Sequence, residues 1–224
     1  MDVLGKLFGS ENKVKTLRLF LFNPETPFTA EAVAGRIRGG LYTARQELST
    51  LRQIRLIRNK FFFARVAKRN RGKHGKRTLV RKKVSGFVLN ASFPYLQELR
   101  RLLLNTSLVK GDEIARRFSS TGKIKLLIIA GTFIQDPESR LDILIVGDHL
   151  RRSSVEHRMK TLESEIGKEL QYAAFETGEF NYRLGLYDKL VRDVLDYPHV
   201  VVLDKLGLPP VELGRKPSTL TAEP

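Results

Sequence analysis

Residues 41–90 read LYTARQELSTLRQIRLIRNKFFFARVAKRNRGKHGKRTLVRKKVSGFVLN, and two periodicities meet inside them. The first part repeats apolar residues at helical spacing, so Leu41, Ala44, Leu48, Leu51 and Ile54 are expected to face inward. The other face of that helix would show Tyr42, Thr43, Arg45, Gln46, Ser49 and Arg52, side chains that can donate and accept at base edges or phosphates. From residue 59 the pattern turns strand-like. NKFFFARVA and VSGFVLN flank RNRGKHGKR, which is glycine-punctuated and almost wholly basic, and this predicts a hairpin with a long cationic tip. Strand alternation puts Phe61 and Phe63 on one sheet face and Phe62 on the other, with core packing expected ahead of base stacking.

Two more helices are expected upstream. Ser10 is an N-cap for ENKVKTLRLFLF, with Val14, Leu17 and Leu21 on one face. NPETPF breaks that helix, and Thr29 caps AEAVAGRI, whose stripe is Ala30, Val33, Ala34 and Ile37. Gly39 and Gly40 make the turn into the third helix. Downstream, FPYLQELRRLLLN reads as a helix with Leu96, Leu99 and Leu103 on one face. Packing within the chain and dimerisation are both open for that face.

Charge separates the two halves of the 224 residues. Residues 1–105 carry 23 Lys and Arg against 6 Asp and Glu, whereas residues 106–224 carry 17 against 18. Within the first half, residues 51–83 hold 14 basic and no acidic side chains. A field that one-sided attracts a polyanion.

Three short helices followed by a basic hairpin resemble a winged helix-turn-helix domain over about residues 8–90. LYTARQELSTLRQIRLI is similar to the recognition helix and the turn after it, with Arg55 where the family usually has a glycine before two apolar residues. The resemblance implies double-stranded DNA as partner. It implies Tyr42, Thr43, Arg45, Gln46 and Ser49 in the major groove, and Arg52, Lys68, Arg69, Arg71, Lys73, Lys76 and Arg77 on phosphates.

The second half alternates apolar strands with helices: LVKGDEIARRFSSTG, KIKLLIIAG, RLDILIVGD, SVEHRMKTLESEIGKEL, LQYAAFET, GEFNYRLGLYDKLVRDVLDY and VVVLDK. Within it, AGTFIQDPESRLDILIVGD, residues 130–148, is similar to the signature of the minimal nucleotidyltransferase fold. Gly131 and Thr132 stand at its G-S turn. Ser139, Arg140, Leu141, Asp142 and Ile143 stand at S-D-x-D-L. That family's metal chemistry uses two carboxylates two residues apart on one strand face. Here the first position is Arg140, a permanent cation expected on the face of Asp142, where it could pair with that acid or repel a metal. The resemblance therefore implies a degenerate nucleotidyltransferase-like domain without catalysis, with Gly131, Thr132, Ser139, Arg140 and Asp142 as a vestigial nucleotide site. An active enzyme would need Asp142 with Glu176 or Glu179 to hold a metal.

The expected organisation is an α+β winged helix at residues 1–92, a connecting helix at 93–106, a smaller α/β domain at 107–208 and a disordered tail at 209–224. A DNA-binding transcriptional regulator is the expected function. A homodimer and a nucleotide or protein effector are open for the second domain; an RNA or ribosome partner is the other binding alternative. No cofactor or metal is expected. The chain has no cysteine, and His74, His149, His157 and His199 are not at metal-ligand spacing. No apolar run suggests a signal or a membrane span, so a cytoplasmic protein without a membrane partner is expected.

Overall fold

The computed structural model describes residues 3–69, 77–104, 110–136 and 138–208. The chain is α+β and divides into two compact units. The first holds residues 1–105 with 161–168, and the second holds 106–160 with 169–224.

In the first unit α1 (Val3–Leu7) precedes α2 (Glu11–Phe22), α3 (Ala30–Ile37) and α4 (Leu41–Gln53). Both expected caps form. Ser10 Oγ accepts from Lys13 N, and Thr29 Oγ1 accepts from Ala32 N, each satisfying an otherwise orphaned first-turn donor. The Ser10 hydroxyl also donates to the buried Glu47 carboxylate at 2.9 Å, tying the start of α2 to α4. The core gathers Val14, Leu17, Phe20, Leu21, Val33, Ile37, Leu48 and Leu51. Leu41 and Ile54, expected inside, are exposed at the two ends of α4, where the helix stripe runs past its neighbours.

The hairpin is longer and more regular than expected. Strand β1 (Ile57–Arg69) pairs antiparallel with β2 (Arg77–Leu89) over thirteen register positions, from Ile57 opposite Leu89 to Arg69 opposite Arg77. Arg77–Lys83, read partly as tip and otherwise left outside both strands, is therefore strand, because cross-strand pairing carries on outward from the apolar base. Phe28 adds a further rung: its N–H and carbonyl exchange hydrogen bonds with Phe87 at 2.9 and 2.8 Å. That approach requires Gly86, since a Cβ there would lie 2.5 Å from the Phe28 carbonyl oxygen. Helix α5 (Leu96–Leu103) buries Leu96 and Leu103, with Leu99 half-buried, against this unit's core. Its apolar face thus packs within the chain.

In the second unit α6 (Gly111–Phe118) leads to β3 (Lys123–Ile129), a 3-10 turn at Gly131–Phe133, β4 (Ile143–Asp148), α7 (Arg152–Ile166, whose residues from Thr161 on are counted with the first unit) and β5 (Tyr172–Glu176). Then come α8 (Thr177–Gly185), α9 (Lys189–Leu195) and β6 (Val200–Asp204). The single helix expected over residues 178–197 is two. The chain turns at Tyr187 (φ 54°), and the Asp188 carboxylate accepts from Leu190 N and Val191 N to start α9. The sheet order is β5-β4-β3-β6, with β4 and β5 parallel and the other pairs antiparallel. Leu126, Ile128, Leu144 and Val146 pack with Phe180, Val191 and Val194 of α8 and α9. The alternating Leu127, Ile129, Ile143 and Ile145 are buried as well, so both faces of the central strands are covered.

Candidate nucleic-acid interface

Helix α4 turns Tyr42, Arg45, Gln46, Ser49 and Arg52 to solvent, as the spacing expected, but half-buries Thr43. Tyr42 Oη accepts from Gln46 Nε2 at 3.0 Å, so these two side chains stand together on one turn. Arg45 meets Glu31 at 3.5 Å with both side chains well exposed. The Glu31 carboxyl is held below its usual range first by its own backbone N–H, then by the Thr29 hydroxyl, with Arg45 a smaller cause. An exposed pair at that distance is worth little, so the guanidinium can be drawn to another anion at small cost.

The turn leaving α4 is built on an arginine. Arg55 has φ 62°, its N–H bonds to the Arg52 carbonyl, and Leu56 N–H bonds back to the Leu51 carbonyl at 3.0 Å. This pair of bonds with a left-handed residue between them is the helix-ending motif that glycine usually serves. Asn90 Nδ2 donates to the Arg55 carbonyl at 2.8 Å and holds the strained residue in place. Arg38, at the end of α3, is left-handed too (φ 54°). Each of these costs about 1 kcal/mol or more relative to glycine, and each sets an exposed cation at a helix C-terminus, where the dipole favours positive charge.

The hairpin carries the densest charge. Arg58, Lys60, Arg65, Arg81, Lys82 and Lys83 are all exposed. Arg65 sits directly opposite Arg81, and the register also sets Arg69 opposite Arg77. Like charges facing across a ladder destabilise it, and an isolated two-stranded ribbon is marginal to begin with. Lys68, Arg69 and Arg77 are placed here as backbone positions only, and Arg71, Lys73 and Lys76 lie outside the described residues, as do residues 209–224.

Phe61 and Phe63 correct the core expectation. They lie on the solvent side of the hairpin, 68% and 61% exposed, while Phe62 is half-buried against Gly86 on the other side. Arg81 Cζ stands 4.9 Å from the Phe63 ring centre and Lys83 Nζ 5.6 Å from that of Phe61. Alternation assigns the two rings a common face; whether anything covers that face is a tertiary fact.

The acidic site of the second unit has another character. Asp142 is buried, 6% exposed, just before β4. Its Oδ1 accepts from Thr132 N at 2.7 Å and its Oδ2 from Gln171 N at 2.8 Å. The carboxylate thus fastens the Gly131 turn to the entry of β5. Gly131 has φ 50°, and a Cβ there would lie 2.6 Å from Asp142 Oδ1. Ser139 Oγ donates to the Leu141 carbonyl at 2.7 Å, so this hydroxyl is engaged locally too. Asp142 continues the ladder just before β4, its N–H bonded to the Gln171 carbonyl and its carbonyl to the Ala130 N–H, and it is buried where Arg140 is exposed. Arg140 pairs with Asp193 of α9, Nε to Oδ2 3.0 Å, and not with Asp142. That contact is an ion pair without an aligned hydrogen bond at Asp193 Oδ2.

Glu176 lies at the far end of the same pair of strands. Its oxygens accept from His149 N and Leu150 N, closing the loop after β4. Since Glu176 stands opposite Gly147, five positions along β4 separate it from Asp142, about 16 Å at strand rise. Glu179 is at the Glu176 end and pairs with Arg183 at 2.9 Å. One metal ion cannot join Asp142 to either glutamate in this arrangement. Among the described residues no three His, Asp or Glu side chains are grouped to hold a metal, and no described helix is long and apolar enough to cross a membrane.

Compared with known proteins, the chain matches no family model, no curated protein and no solved structure.

Proposed function

We propose that the protein is a sequence-specific, double-stranded-DNA-binding transcriptional regulator. Its first unit acts as a winged helix. Helix α4 enters the major groove with Tyr42, Thr43, Arg45, Gln46 and Ser49, and the β1–β2 hairpin lies along the neighbouring phosphates. One observation carries this reading: Arg65 faces Arg81 in a ribbon drawn from a segment with fourteen cations and no acid. A bound polyanion relieves that repulsion, and nothing within the segment can. The rung at Phe28, which ties the hairpin to the three helices, supports the same architecture.

The second unit is a nucleotidyltransferase-like domain that regulates or dimerises and does not transfer nucleotides. The support is the order helix, strand, turn, strand, helix, strand, helix around a mixed sheet, with Gly131 and Asp142 at the family's positions. The Asp142 carboxylate, with both oxygens committed to backbone donors, holds the turn in place of a metal.

Competition at fixed salt between duplex DNA and structured RNA tests the partner. The duplex should win, and Arg45→Ala should flatten the preference among duplex sequences. Preferential capture of RNA would replace DNA as the partner. Incubation with labelled nucleoside triphosphates and Mg²⁺ or Mn²⁺ should give no transfer; labelled product would restore the enzyme.

A further inference from the structure

We propose that the solvent face of the hairpin is a stacking site for unpaired nucleobases, with Phe61 and Phe63 as its two platforms. The inference rests on the nucleic-acid reading above and adds a second kind of ligand to it. Two phenylalanines left more than half exposed forgo a burial term that proteins ordinarily use. They are not scattered. Both lie on one face of one strand, Leu79 is exposed across the same face, and a cation stands by each ring.

The chemistry of the face selects its occupant. A phenyl ring has no donor or acceptor, so it cannot read the base edges that line the grooves of closed duplex. Its complement is the flat face of a base, which is free only where the base is unpaired or pried from its stack. Positions i and i+2 of a strand are about 6.7 Å apart, roughly two base-stacking steps of about 3.4 Å. Each ring therefore takes its own base in an extended strand. Arg65, Arg81 and Lys83 share that face of the ribbon and lie where the backbone phosphates of such a strand would run. An anionic membrane would share the charge complementarity but not the ring spacing.

The test uses the full chain and four probes: a blunt duplex, the same duplex with an unpaired thymidine arm, free oligothymidine, and phosphatidylserine vesicles. The wild-type protein should bind the armed duplex about ten-fold tighter than the blunt one. Phe61→Ala/Phe63→Ala should erase that difference while changing blunt-duplex affinity less than about three-fold and leaving the salt slope alone. Phe61→Tyr/Phe63→Tyr, which keeps both ring faces, should retain the preference. Both sites are exposed, so equal melting temperatures for the three proteins are expected and check that the fold is intact. Normal blunt-duplex binding with no preference for the arm, or equal losses on both duplexes in the alanine variant, overturns this inference and leaves the DNA reading standing. Absence of binding to every nucleic-acid probe removes both. Vesicle binding that the alanine substitutions abolish, with no effect on the armed duplex, assigns the face to lipid instead.

Discussion

The hairpin and the Gly131–Asp142 turn treat charge in opposite ways. In the turn, Asp142 meets two backbone donors and Arg140 meets Asp193. In the hairpin, Arg65 faces Arg81 across the ladder and Phe61 and Phe63 lie open to water. A buried carboxylate is tolerated only when its lone pairs are satisfied, so the first region is held by its own polar groups. The second sets like charges against each other, and under the proposed function a bound polyanion relieves them. Residues at catalytic-looking positions here make structural contacts, while the run of Lys and Arg is the surface that the proposed function uses.

The comparison can be broken most forcefully at Asp142. Asp142→Ala leaves the buried Thr132 N–H and the part-buried Gln171 N–H without their carboxylate acceptor and should destabilise the second unit by about 3 kcal/mol. Chemical denaturation measures this, and a loss under about 1 kcal/mol would mean that the carboxylate is not the fastening described. Next in size is the hairpin. Replacing Arg65, Arg81, Lys82 and Lys83 by Gln should weaken duplex binding by about 100-fold and cut the salt slope by roughly 3 to 4. Stability should hold or rise by a few tenths of a kcal/mol, because the Arg65–Arg81 repulsion is gone. Opposite signs for binding and stability separate the hairpin from the Asp142 turn, where a loss of stability is the expected effect.

Smaller is Arg55→Gly, which relieves a left-handed arginine and should raise stability by about 1 kcal/mol while lowering duplex affinity. Thermal melting set beside binding reads both. Smallest is a pH effect in the second unit. Lys125, at 2.8 Å, and then the Thr177 hydroxyl hold the Asp148 carboxyl below its ordinary range. Its stabilising contribution is complete above the ordinary aspartate pKa and is lost as pH falls through the lowered one. Lys125→Gln removes the largest cause, so the acid limb of the melting profile should move to higher pH; an unmoved limb contradicts the assignment.

What the sequence made legible was local. The caps at Ser10 and Thr29 need only neighbours three residues away, and both form. The outward face of α4 follows from helical spacing alone, and the alternating strands of the second unit from apolar runs. The rest depends on partners far along the chain. Phe28 pairs with Phe87, and Arg140 finds Asp193 rather than Asp142 two residues away. The break at Tyr187 follows Gly185, the last residue of α8, inside an apolar pattern that runs on without interruption, and the rim positions of Leu41 and Ile54 depend on where neighbouring elements stop. At the candidate interface the charge was readable and the exposed rings were not. Alternation says which residues share a face but never what covers it.

The salt dependence of duplex binding tests the account most directly. With about six phosphates met by the α4 and hairpin cations, the slope of log K against log salt should be roughly −5. A slope near zero, or no binding at low salt, would contradict a surface shaped for a polyanion.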